Sequence, residues 1–149
     1  MKTNEQVDEG IRRPCVLAWL RLARVFHHID RASSEHMRQY GLTMAQFDVL
    51  AHVGAADGLT QQELADSLLV TKGNVCQLID RMETGGLIQR RQCGRANYLS
   101  LTPRGRDLFQ QIVPEHEDLV AHQFDSLTAE EQRQLWHLVR RLDRNLSSV

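Results

Sequence analysis

Asn74, Gln77 and Arg81 follow one another at three and then four residues, so on a helix they form a single polar stripe. Amide side chains pair bidentately with adenine and a guanidinium with guanine, so such a stripe suits reading base edges along a DNA major groove. Just ahead of it, Thr71 and Lys72 stand where a helix N-terminus meets phosphate, and Gly73 lets the backbone approach closely. Beyond it, Arg90, Arg91 and Arg95 mark a short polar stretch. From Lys72 to Arg106 there are seven cations (Lys72, Arg81, Arg90, Arg91, Arg95, Arg104 and Arg106) against two acids, Asp80 and Glu83. On a chain of net charge -1 this is a local basic face, the footprint of a nucleic-acid reader, and not an all-over basic coat. Catalysis has no comparable grouping: no nucleophile–base pair, phosphate loop or metal signature is present. The histidine groups Glu115-His116 with His122, and His27-His28 with His36, lack ligand spacing, so no metal and no cofactor is expected.

The elements that must position these residues are marked by caps and apolar spacing. A long helix is expected over residues 11–39, with Pro14 in its first turn and an apolar stripe of Cys15, Ala18, Leu22, Val25, Ile29 and Ala32. Thr43 with Gln46, Thr60 with Glu63 and Thr128 with Glu131 have the spacing of capping boxes. Between the first and last of these, Thr71 caps the helix 72–84, with Val75, Leu78, Ile79 and Met82 inward and Gly85-Gly86 stopping it. Small Ala65 with apolar Val75 and Leu78 is the spacing by which two short helices cross as a helix-turn-helix. Residues 87–92 and 96–101 read as two strands linked through Gly94. Thr102-Pro103 opens a helix to about residue 124, which Pro114 should kink or interrupt. Leu135, Leu138, Leu142 and Leu146 line one face of a last helix.

At 149 residues the chain is one domain's length, and aromatics at 5% make it poor in strand formers. No apolar run reaches the roughly 20 residues of a membrane helix, and the polar N-terminus is no signal peptide. Three unclustered cysteines, Cys15, Cys76 and Cys93, suit a reducing compartment, so a cytoplasmic protein with no membrane partner is expected.

This order of elements, with the stretches TKGNVCQLIDRMETGGLI and LSLTPRGR, resembles the MarR family of bacterial transcription regulators over about residues 11–146. The resemblance implies a mainly α fold with a small β-hairpin wing, a winged helix-turn-helix. Residues 1–149 would be one MarR-type chain, 43–102 its DNA-binding region, and 11–40 and 103–146 its dimerisation helices. It implies a homodimer on a pseudo-palindromic double-stranded operator, a repressor released by a small aromatic or anionic ligand. Arg95 would enter the minor groove from the hairpin tip, flanked by Arg90 and Arg91. The chain departs from the family pattern there: the tip reads Gly94-Arg95-Ala96, without the aspartate that braces the arginine. The urate-responsive subgroup would place its ligand on Trp19, Asp48 and Arg90, although Ser100 stands where a second arginine is expected. The alternatives are a redox-sensing regulator of the same family using Cys15, and a winged-helix module that binds protein. The latter would not need the Asn74, Gln77, Arg81 stripe.

Overall fold

Pro14 sits where a missing amide donor costs a helix nothing. In the computed structural model it is the first residue of α1, Pro14–Arg38. The structure describes residues 13–56, 58–68 and 72–148. The chain continues as α2 (Met44–Ala55), β1 (Leu59–Thr60), α3 (Gln61–Leu68), α4 (Lys72–Thr84), β2 (Ile88–Cys93), β3 (Ala96–Leu101), α5 (Pro103–Gln123) and α6 (Ala129–Leu146). It is a mainly helical fold with a small antiparallel sheet, as expected.

Local chemistry sets the boundaries. Thr43 and Gln46 form a reciprocal capping box, and so do Thr60 with Glu63 and Thr128 with Glu131. In the last two, the capping hydrogen bonds hold the glutamate carboxyls below their ordinary range. Thr102 caps α5 by accepting from the Gly105 amide. The expected cap Thr71 lies outside the described residues. Gly86, at φ +73°, closes α4: the Leu87 amide reaches back to the Met82 carbonyl at 2.9 Å. That bond explains why β2 begins at Ile88 and not at Leu87. The Leu87 carbonyl in turn accepts from the Thr102 amide at 3.1 Å, tying both ends of the hairpin.

Two expectations are corrected. The sheet has a third strand: β1 pairs with β3 through Leu59–Leu99 and Thr60–Tyr98, giving the order β1-β3-β2. Two residues carry no periodicity, so only the partner strand reveals them. Of the kink or interruption expected at Pro114, the interruption is the part corrected: α5 is one helix through it. On either side of Pro114 the helix is anchored, by buried Ile112 before it and by the Glu115–Tyr40 and His116–Ser33 hydrogen bonds after it.

The core gathers Met37 of α1, Phe47, Val49, Leu50 and Val53 of α2, Leu64 and Ala65 of α3, Val75, Ile79 and Met82 of α4, Leu99 and Leu101 of β3, and Ile112 of α5. The apolar stripe expected along α1 is different. Only Ser33 and Met37 near its end are buried, while Trp19 is 67% and Phe26 70% exposed. None of the residues of α6 is buried, and Leu138, Leu142 and Leu146 are exposed. No described helix is long and apolar enough to cross a membrane.

Candidate nucleic-acid interface

Helix α4 carries three distinct faces. Val75, Ile79 and Met82 are fully buried and fix its roll on the core. Leu78, expected to point inward, is only partly covered. Rolled this way, the helix presents Asn74, Gln77 and Arg81 to the outside, all three exposed. They line one concavity together with Ala45, Asp48, Leu68 and Leu78. Gly73 opens that surface at its N-terminal end, and a Cβ placed on it would meet nothing within 4 Å. Backbone can therefore be approached closely there. Thr71 and the side chain of Lys72 lie outside the described residues.

The third face of α4 looks toward the wing. Cys76, Asp80 and Glu83 lie four and then three residues apart and so share this side. Arg90 of β2 meets them: its Nη2 lies 2.5 Å from Asp80 Oδ1, its Nη1 2.9 Å from Glu83 Oε2, and Nη2 donates to the Cys76 carbonyl at 3.3 Å. Strand alternation explains the choice. Ile88 is buried, so Arg90 two residues on shares its inward side, while Arg91 falls on the other face, exposed, across from Tyr98. Arg90, expected as a DNA contact and as part of a ligand site, is thus engaged in two intramolecular ion pairs.

The wing turns tightly. Cys93 pairs with Ala96, and the two-residue link is Gly94-Arg95 with Gly94 at φ +62°, a conformation glycine adopts without strain. Arg95 is exposed at this tip. Of the seven cations of the segment, Arg104 is also engaged, its Nη1 donating to the Gly85 carbonyl, and Arg106 donates to the Gly54 carbonyl while lying over the Phe109 ring. Arg81, Arg91 and Arg95 remain exposed, without an ion pair among the described residues.

Of the residues expected for an effector, one lines this concavity. Asp48 lines the concavity of Asn74, Gln77 and Arg81, and neither Trp19 nor Arg90 lines it. Burial raises the Asp48 carboxyl above its ordinary range, opposed by the charges of His52 and His116. Ser100 accepts from the Gln89 amide at 3.1 Å. Of the cysteines, Cys15 and Cys93 are exposed and Cys76 is partly covered.

A polar seam joins α5 to the end of α1 and to Tyr40 just beyond it, and had no sequence expectation. Tyr40 donates to Glu115, His36 Nε2 lies 3.5 Å from the same carboxylate, and His116 Nε2 lies 3.0 Å from Ser33 Oγ with its ring 4.5 Å from Phe47. The hydrogen bond to Glu115 raises the Tyr40 hydroxyl pKa, and burial lowers that of His116. The partners lie about 75 to 83 residues apart, beyond any local pattern.

Comparison with known proteins places this geometry. Residues 40–96 match the MarR family. An uncharacterized HTH-type transcriptional regulator of Bacillus cereus is 35% identical over 130 residues, covering 87% of this chain and 88% of that one. Among solved structures, a MarR variant from E. coli complexed with operator DNA is 27% identical, with a TM-score of 0.76, covering 85% of this chain and 94% of that one. AbsC, a MarR family transcriptional regulator from Streptomyces coelicolor, has the same fold at a TM-score of 0.83 and 23% identity, covering 89% and 94%.

Proposed function

This chain belongs to the MarR family, so it is a DNA-binding transcriptional regulator and not an enzyme, and from that premise we propose that it acts as a homodimer on a pseudo-palindromic operator, as a repressor that a small aromatic or anionic ligand releases. The observation that carries the dimer is α6. It is amphipathic over 18 residues and buries none of them within its own chain. With α1 it borders an apolar groove of Leu22, Val25, Leu135, Leu138, Val139 and Leu142. An open apolar surface of this extent is what a second subunit covers. Two-fold pairing through α1 and α6 then sets two copies of α4 about one helical turn of DNA apart, roughly 34 Å.

In each half-site Asn74 and Gln77 suit adenine and Arg81 suits guanine. Gly73 admits the backbone, Thr71 and Lys72 serve phosphates, Arg95 enters the minor groove, and Arg91 on the outer face of the wing adds a phosphate contact. For the effector, the concavity at Asn74, Gln77 and Arg81 has the apolar walls Ala45, Leu68 and Leu78, the Arg81 guanidinium and the Asp48 carboxyl; the guanidinium is the group that an aromatic acid would pair with. A ligand there would occupy the base-reading stripe itself.

The test is selection of bound fragments from genomic DNA, followed by gel shifts over a salt series and calorimetry with salicylate and urate. Salt-dependent binding of two chains per duplex, with release by an aromatic acid, is expected. A protein that stays monomeric, or holds no duplex above random sequence, overturns the reading. Duplex binding untouched by every acid removes the effector from it.

A further inference from the structure

We propose that Arg90 supports DNA binding without touching DNA: it is the positioning residue that holds the wing against α4 and quenches the two carboxylates on that helix. This rests on the reading of α4 as the DNA-contacting helix. Asp80 and Glu83 are the only acids between Lys72 and Arg106, and one guanidinium takes both, at 2.5 and 2.9 Å, while also donating to the Cys76 carbonyl. The carboxylates are the exposed partners, and Arg90 is the covered one at 24%. Asp80 adjoins Arg81 and follows Gln77 by three residues, so its charge lies within one helical turn of the base-reading stripe. Uncovered, it would repel the same phosphates that Arg81 and Arg95 attract.

The geometry suits arginine specifically. Its planar fork presents several donors in fixed directions, whereas a lysine ammonium is a point charge that cannot span two carboxylates and a carbonyl together. Arg90 also joins β2 to α4, so the same contacts set where the hairpin tip with Arg95 stands relative to the recognition stripe.

The experiment is a mutant cycle on a duplex that the unmodified protein binds, read across a salt series, with melting temperature and subunit stoichiometry measured for each variant. The variants are Arg90→Met, Asp80→Asn with Glu83→Gln, all three together, and Arg90→Lys. Arg90→Met is expected to weaken binding about tenfold, equivalent to about 1.4 kcal/mol, with a larger loss at low salt, where the uncovered carboxylates are least screened. In the Asp80→Asn, Glu83→Gln background the same substitution is expected to cost less than about twofold, because no carboxylate is then left to unmask and only the Cys76 carbonyl contact is lost. Arg90→Lys is expected to lie between. An equal loss in both backgrounds, as for a direct phosphate contact that does not depend on the two acids, overturns the proposal. So does full retention of affinity by Arg90→Met. If Arg90→Met fails to fold, the cycle is read with Arg90→Lys: wild-type affinity in that variant also overturns it. Failure of the unmodified protein to bind any duplex would sink the DNA reading itself, a separate outcome.

Discussion

Arg90 and Arg91 are neighbours in the chain and part company in the fold. The pleat of β2 sends one toward the acids of α4 and the other outward beside Tyr98. At the residue scale, the base reading proposed above falls to side chains that the buried face of α4 turns outward. Gln77→Ala and Arg81→Ala are each expected to weaken operator binding by about 1–3 kcal/mol and to relax preference at one base position, the signature of lost base contacts. Gel shifts on operators substituted one base pair at a time check this; a uniform loss across sequences would mean phosphate contact instead. His116 gives a second expectation. Burial first, and then the charge of His36, push its pKa below the ordinary 6.5, against the opposite pull of Asp48 and Glu117. The unfolded chain therefore binds more protons in that window, and stability rises with pH through it. His116's contribution is complete above about pH 6.5 and is lost as pH falls below that value. Asp48, whose carboxyl is raised, acts in the opposite sense at lower pH. Urea midpoints between pH 7 and 5.5 are expected to fall, and to fall less in His116→Gln.

At the scale of elements, the hairpin is held from both ends. The Leu87 amide closes α4, its carbonyl takes the Thr102 amide, and α5 starts directly over that carbonyl. Gly105 is the residue that allows it: an added Cβ would lie 2.0 Å from the Leu87 carbonyl oxygen. Gly105→Ala must push α5 off the hairpin, and we expect a loss of about 1–3 kcal/mol in unfolding free energy, the usual cost of overpacking. Chemical denaturation measures this directly, and an unchanged midpoint would refute the contact. The same displacement should move the wing, so DNA affinity should fall further than stability alone accounts for.

At the scale of the whole molecule, the chain divides into a packed centre and two uncovered apolar surfaces. Core residues come from α1 through α5, whereas α6 and the first half of α1 leave Trp19, Phe26, Trp136 and Leu142 exposed. Leu138→Glu with Leu142→Glu should leave the packed centre folded, because neither side chain is buried in its own chain. It should convert a dimer to monomers in sedimentation equilibrium. A monomer holds a single half-site, so affinity for the full operator should fall by orders of magnitude, as expected when the second contact is no longer intramolecular. Dimers that persist in this variant would place the subunit contact elsewhere.

The sequence by itself determined what depends on residues three or four apart: the threonine caps, the Gly85-Gly86 stop, the boundaries of α4 and β3, and the outward stripe Asn74, Gln77, Arg81. These rest on one turn of backbone and on which side of a helix is apolar, and both are written locally. Tertiary structure decided the rest. Strand β1 exists only because β3 lies beside it, and just past Pro114 α5 is tied to Ser33 of α1 and to Tyr40 beyond its end. Arg90 belongs to Asp80 and Glu83 because β2 folds back along α4. A cation's nearest acid is a matter of distance in space, and the spacing of charges along a chain does not contain it.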